Sequence, residues 1–337
     1  MSTYNIIKTL PGKQYFDLFE NLPTGLYNKE SFRFKSGHDP VHTHLEGCYV
    51  LLKNKEPLGR FAFYENPNLK YKSQPAACIG SYECIADKHL SEELLLYAIK
   101  LAATKGYKWL IGPMEGSTWN SYRFSNHNRQ PNFFMEPYHH NYYNEHFINA
   151  GFKPIAEYFS NMDQTLEYDK EELDQFEQYY LSKGAAFRNL NMDDLENDLR
   201  KIALFSIEAF SNNFLYTPIT TDNFVSKYKK LRQLFDPHLV WIVEDTEGEM
   251  QALIFSIKDH FDVSNETLII KSMARKISSS YRGIGRYLAE KIIQIAKESG
   301  YKKVIHALMI KDNASLRISE KYTRQDYKSY TLYGAKL

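Results

Sequence analysis

The run Ser280-Tyr281-Arg282-Gly283-Ile284-Gly285-Arg286-Tyr287-Leu288 sets two glycines one residue apart and flanks them with arginines. These residue types suit an anion. Glycine lets backbone amides approach a ligand closely, because no Cβ intervenes. A helix starting here adds unpaired amides and the positive end of its dipole. Arg282 and Arg286 add guanidinium groups that match phosphate oxygens. The chemistry implied is the holding of a pyrophosphate.

The flanking residues must position that loop. Before it, residues 267 to 270 form an apolar, β-rich run. After it, Leu288, Ile292, Ile293, Ile295 and Ala296 repeat with helical period. Gly300 stops the helix, Lys303–Ile310 reads as a buried strand, and residues 312 to 315 cap a short helix through about Lys321. Residues 327 to 333 alternate in an aromatic stretch. The loop is not a dinucleotide fingerprint, since the third glycine and the first-strand context are missing. It is not a P-loop, since no Gly-Lys-Ser/Thr follows.

This loop and order of elements resemble the GNAT acyltransferase superfamily, whose coenzyme A loop is written Gln/Arg-x-x-Gly-x-Gly/Ala. Here it reads Ser280-Tyr281-Arg282-Gly283-Ile284-Gly285, with Ser where the family has Gln or Arg. An opening strand and first helix fit residues 186 to 195, so the resemblance covers about residues 184 to 337. It implies acetyl-CoA or another acyl-CoA, bound by Met273, Ala274, Tyr281, Arg282, Gly283, Ile284, Gly285, Arg286 and Asn313, and no metal. It implies direct acyl transfer to a primary amine, with a backbone amide in residues 271 to 275 polarising the thioester carbonyl. His306 is a candidate base because its pKa range suits the task, although a lone strand His is commonly structural. Glu266 and Glu208 are weaker candidates. The family often protonates the leaving thiolate with a Tyr on the last helix. That position is Ser319 here, Thr323-Arg324 replaces the usual Gly-Phe, and Tyr322 is the candidate substitute.

The first half reads as a second copy in pattern. A hairpin spans residues 48 to 64, a strand 76 to 85, a helix 91 to 105 capped by Ser91, a strand 108 to 112, and a late helix ends at Gly151-Phe152. Its strand-to-helix turn is Ala86-Asp87-Lys88-His89-Leu90, without glycine, so this copy is not expected to hold coenzyme A in the usual way. Residues 111 to 123 and 134 to 138 also resemble bacterial GNAT-like proteins of this length. The long loop 112 to 137 carries Trp119, Tyr122 and Arg123 as substrate-pocket candidates, with His127 and Arg129 nearby. The expected fold class is α/β (α+β): two tandem GNAT-like domains, each a mixed, mostly antiparallel sheet flanked by helices. Their expected bounds are 1–168 and 184–337, joined by a connecting helix at 169–183.

Composition narrows the function. The 337 residues carry 42 basic and 41 acidic side chains, so charge gives no reason to expect nucleic acid or an anionic membrane as partner. No apolar run reaches bilayer length, and the first ten residues lack a signal-peptide core. Cys48, Cys78 and Cys84 lack metal spacing and point to reduced thiols in the cytoplasm. His38, His42 and His44 with Asp39 and Glu46 match no standard ligand set, so no metal is expected. The expectation is an acyl-CoA-dependent N-acyltransferase acting on the amine of a small metabolite, amino acid or peptide. Two alternatives stand beside it: a non-catalytic coenzyme A-binding or partner-binding module, and an aminoacyl transferase of the peptidoglycan-bridge type, which would need a basic groove for charged tRNA.

Overall fold

Apolar helix residues pack against strand residues in two separate buried clusters. The computed structural model describes residues 4–28, 40–126, 130–322 and 326–337. It divides into two units, one of Met1–Glu157, Phe214–Thr217 and Lys328–Leu337, the other of Tyr158–Asn213 and Pro218–Tyr327.

In the first unit the chain runs β1 (Tyr4–Thr9), α1 (Phe16–Leu26), β2 (Leu45–Lys53), β3 (Glu56–Tyr64), β4 (Lys70–Tyr71), β5 (Gln74–Cys84), α2 (Lys88–Thr104), β6 (Trp109–Gly112), β7 (Phe124–Ser125), α3 (Tyr143–Asn149) and the start of β8 (Lys153–Asp163). Its sheet order is β1-β2-β3-β5-β6, then β14 (Asp326–Lys336) and β8. β5 and β6 run parallel. Leu94, Leu95, Ala98 and Ala102 of α2 pack on Phe61, Phe63, Ala77 and Ile79.

The second unit takes the end of β8, then α4 (Lys170–Ser182), β9 (Ala186–Asn189), α5 (Leu195–Ala209), α6 (Thr221–Lys229), β10 (Val240–Glu244), β11 (Met250–Lys258), β12 (Thr267–Arg275), α7 (Ile284–Glu298), β13 (Lys303–Ile310) and α8 (Ala314–Ser319). Its order is β8-β13-β12-β11-β10-β9, with β12 and β13 parallel. Ile284, Leu288, Ile292 and Ala296 recur every four residues along α7 and meet Ile254, Leu268, Ile270 and Val304 of the sheet. Each buried Ile or Leu there contributes about 1.5–3 kcal/mol, and Ile292→Ala would cost about 2–5 kcal/mol.

Three expectations change. The sequence puts the terminal strand β14 in the second copy. Instead it pairs with β6, Tyr333 against Gly112 and Lys336 against Trp109. The place beside β13 goes to β8, with Asn161 opposite His306 and Asp163 opposite Val304. Strand edges must find backbone partners, and apolar alternation says nothing about which edge a strand will take. The helix expected to connect the halves is α4, which packs on α7 within the second unit through Leu173 and Tyr180. The helix expected from Ser91 begins at Lys88. Asp87 caps it, accepting from the Leu90 amide at 3.1 Å, while Ser91 lies buried in its first turn.

His38, Asp39, His127, Arg129, Thr323 and Arg324 lie outside the described residues. Among those described, no helix is long and apolar enough to cross a membrane, and no three His, Cys, Asp or Glu side chains group as metal ligands would. Glu46 is held by Lys8 at 2.6 Å and Lys105 at 3.2 Å. The three cysteines are free and buried.

Candidate functional site

β12 and β13 lie side by side only as far as Ile270 and His306. There β12 bulges. Ser256 faces Ile270 and Phe255 faces Ser272, which leaves Lys271 as the extra residue. A bulge bends and re-aims its strand. From 271 to 275, β12 keeps β11 on one side, and no described strand pairs with its other side. β13 also shifts register against β8 between His306 and Met309. The parallel pair therefore opens into a V at His306.

At the open end the chain turns and enters α7. Gly283 is the N-cap, with φ 83° and no side chain to cap the helix. The Arg286 and Tyr287 amides bond the Gly283 carbonyl at 3.0 and 3.3 Å. The Gly283 and Gly285 amides have no backbone acceptor among the described residues. In α2 the Asp87 carboxylate fills the equivalent place. A glycine cap leaves donors for a ligand, whereas an aspartate cap satisfies one donor and adds negative charge. A Cβ at Gly285 would sit 3.5 Å from Met273 Sδ and 3.6 Å from Ile318 Cδ1, so strand, loop helix and α8 converge at that glycine.

The residues expected to bind a coenzyme divide into groups. Arg282 is exposed beside the loop. Met273 and Ala274 lie half-buried on the parted segment of β12. Asn313 caps α8, accepting from the Ala314 amide at 2.6 Å. Tyr281 and Ile284 turn their side chains into the core, and the Tyr281 hydroxyl donates to the Lys183 carbonyl at 3.3 Å. Arg286 is already matched in charge. It pairs with Glu172 of α4, and its Nε donates to Glu290 Oε1 at 3.1 Å.

A buried polar group lies where the V opens. His306 is 5% exposed, and Asn161 and Asp163 are each 1% exposed. Facing positions on paired strands, and residues two apart, share one face of a sheet, so His306, Asn161 and Asp163 share theirs. Val304, two residues before His306, packs in the cluster that contains α7. His306 Nε2, Asn161 Oδ1, Asp163 Oδ2 and Glu290 Oε2 are buried without a hydrogen-bond partner. Burial pulls the His306 pKa down to about 4, with Asp163 opposing. The Tyr322 ring is 6.1 Å from His306, and its hydroxyl donates to Glu290 Oε1 at 2.8 Å. Burial, then the bond to Glu290, pushes the Tyr322 phenol up. Ser319 Oγ accepts from Asn161 Nδ2 at 3.0 Å. Glu208 is exposed on α5. Glu266 precedes β12, where its carbonyl accepts the Lys302 and Lys303 amides. That is the closed end of the V, about 13 Å along the strand from Ile270.

Sequence reasoning missed Glu290, Asn161 and Asp163. Glu290 had a signal, four residues after Arg286 on one helix face. The other two have none, because only strand pairing brings β8 beside β13.

The first unit builds the same V and fills it. β5 bulges at Ser81, with φ 47°. Glu115 Oε1 accepts from the Ser81 amide and, at 2.9 Å, from Ser81 Oγ, and Glu115 Oε2 accepts from the Tyr64 hydroxyl. A Cβ at Gly80 would lie 2.6 Å from the Glu115 carboxyl. The pocket candidates Trp119, Tyr122 and Arg123 all belong to this unit. Trp119 Nε1 donates to the Thr217 carbonyl at 2.8 Å, and the buried Arg123 guanidinium lies 3.9 Å from the Tyr122 ring centroid.

No family model matches the sequence, and no curated relative does. Solved structures do match the fold. A GCN5-related glucosamine N-acetyltransferase region of a fungal multi-domain GH3 beta-N-acetylglucosaminidase is 12% identical with TM-score 0.59, over 99% of this chain and 38% of that one. A tandem GNAT protein from the clavulanic acid biosynthesis pathway is 10% identical with TM-score 0.53, over 99% of this chain and 98% of that one. A GCN5-related N-acetyltransferase from Sphaerobacter thermophilus is 11% identical with TM-score 0.52, over 99% and 95%. At such identities the likeness concerns the fold, and the chain has the GNAT fold in tandem.

Proposed function

We propose that this chain is an acyl-CoA-dependent N-acyltransferase, with the acyl donor, acetyl-CoA first among candidates, held by the second unit. The observation that carries the reading is the parted β12–β13 pair beside a helix start whose Gly283 and Gly285 amides have no backbone acceptor among the described residues. Those amides and Arg282 would take the pyrophosphate. The side of residues 272 to 275 that faces away from β11 would hold the pantetheine arm and polarise the thioester carbonyl. The coenzyme supplies an activated acyl thioester. His306, kept neutral at neutral pH by burial, has an unpartnered Nε2 with which to take the amine proton, directly or through a water. Tyr322 would return a proton to the leaving sulfur. The acceptor would be a primary amine on a small metabolite, amino acid or peptide. Three buried, unpaired cysteines suit a cytoplasmic protein.

The first unit would then be a degenerate copy that keeps the fold and closes its own cleft with Glu115. One observation favours a non-catalytic coenzyme-binding reading: Ser319, where the family carries its acid, is turned to Asn161. Native mass spectrometry and calorimetry with acetyl-CoA, followed by thiol release across an amine panel, test both. Binding with release supports the enzyme, binding without release supports the module, and absence of binding overturns both.

A further inference from the structure

α4 precedes the opening strand β9 and carries no coenzyme motif. Yet its polar side chains converge on the loop and the first turns of α7. The Tyr180 hydroxyl donates to the Arg282 carbonyl at 2.9 Å, and a Cβ at Gly283 would come within 3.2 Å of that hydroxyl. Glu172 holds Arg286. Glu177 accepts from the Tyr287 hydroxyl at 2.9 Å and pairs with Lys291 at 3.1 Å. Just past the helix, the Lys183 carbonyl accepts from Tyr281.

We propose that α4 sets the coenzyme affinity of the second unit through two opposed contacts, Tyr180 positioning the loop and Glu172 competing with the ligand's phosphates for Arg286. The proposal rests on the reading of this loop as the coenzyme site. Tyr180 fixes the oxygen of the peptide joining Arg282 to Gly283. The amide of that same peptide is the Gly283 N–H, so fixing its oxygen on one side fixes the donor on the other. Because peptides are planar, the two cannot turn independently. The Tyr180 ring is 1% exposed and packed beside Tyr281 and Tyr287, so its hydroxyl cannot swing away. Glu172 acts in the other sense. Arg286 is the third residue of α7, where a phosphate on the helix start would compete for its guanidinium. With two carboxylates on it, Arg286 offers that phosphate little net charge.

The test uses the full-length protein and coenzyme A by calorimetry, at about 50 and 300 mM salt. Tyr180→Phe keeps the ring and removes the hydroxyl. It should weaken coenzyme A about fivefold, nearly equally at both salts, and speed amide exchange across residues 281 to 285 in the free protein. Glu172→Gln should strengthen coenzyme A about twofold to fivefold at low salt, with the gain shrinking at high salt. A general loosening of α4 would weaken binding in both variants, so the opposite signs separate positioning from mere support. Wild-type binding with both variants weakened, or both unchanged, overturns this proposal and leaves the coenzyme reading intact. A wild type that binds no coenzyme A overturns the two together.

Discussion

The Tyr322 hydroxyl donates to Glu290 Oε1 at 2.8 Å, and Glu290 accepts from Arg286 through the same oxygen. A phenol three residues past the last helix is thereby tied to the helix that begins at the glycine loop. Tyr322→Phe removes the phenol and leaves Glu290 to Arg286 alone. Turnover should fall at least tenfold, coenzyme affinity should stay within about twofold, and stability should drop by about 1 kcal/mol. Unchanged thiol release in a folded variant would restrict Tyr322 to holding Glu290.

His306 predicts a pH dependence. Its pKa is about 4 in the fold, against about 6.5 in an unfolded chain. Between those values the unfolded chain binds a proton that the native protein does not, so stability falls as pH falls through that window. His306→Gln removes this contribution. Melting temperatures of wild type and variant should therefore shift in favour of the variant from pH 7 to pH 4.5. Parallel curves would show that His306 is hydrated in the native state. The variant should also lower turnover with little change in coenzyme binding.

The two glycines of the loop should respond differently. Gly285 has no positive φ, and the atoms nearest a Cβ there, on Met273 and Ile318, lie at ordinary contact distances of 3.5 to 3.7 Å. Gly285→Ala should fold with near-normal stability, while Gly285→Glu adds charge and bulk and should weaken acetyl-CoA at least tenfold, about 1.4 kcal/mol. Gly283 has φ 83°, so Gly283→Ala should cost about 1–2 kcal/mol of stability. Calorimetry and thermal melts check both, and unchanged affinity in folded Gly285→Glu would remove the loop from the site.

Ser319 should be a stability residue. It is 1% exposed and accepts from Asn161, so Ser319→Ala strands a buried donor at a cost of about 1–3 kcal/mol. Thiol release per folded molecule should be unchanged. A large loss of turnover without a loss of stability would make Ser319 part of the chemistry.

Coenzyme A should bind once per chain. Asp87 caps α2 and Glu115 occupies the first unit's V, so removing the cap alone cannot open a second site. Asp87→Ala should cost about 1 kcal/mol and leave the stoichiometry unchanged. Two equal sites by calorimetry would overturn this division.

Much of the candidate site was legible because it is local. Gly283, Gly285 and the four-residue repeat of Ile284, Leu288, Ile292 and Ala296 lie within one short segment. Glycine chemistry and helix periodicity are properties of such segments. The missing glycine at Asp87 was legible for the same reason, although the sequence points to Ser91 as the cap and the structure uses Asp87. A Ser and an Asp near a helix start are both good caps, and only the observed bond from Leu90 chooses between them.

What the sequence determined by itself was therefore the elements, the loop and the repeat of the fold. Tertiary structure decided which strands close each sheet, β14 beside β6 and β8 beside β13. It also decided that Arg286 meets a carboxylate 114 residues away, and that His306 is buried beside Asn161 and Asp163. The physical reason is that strand pairing and ion pairing depend on which groups meet in space. Backbone donors and acceptors are the same in every strand, and charges carry no address, so neither can be read from neighbours along the chain.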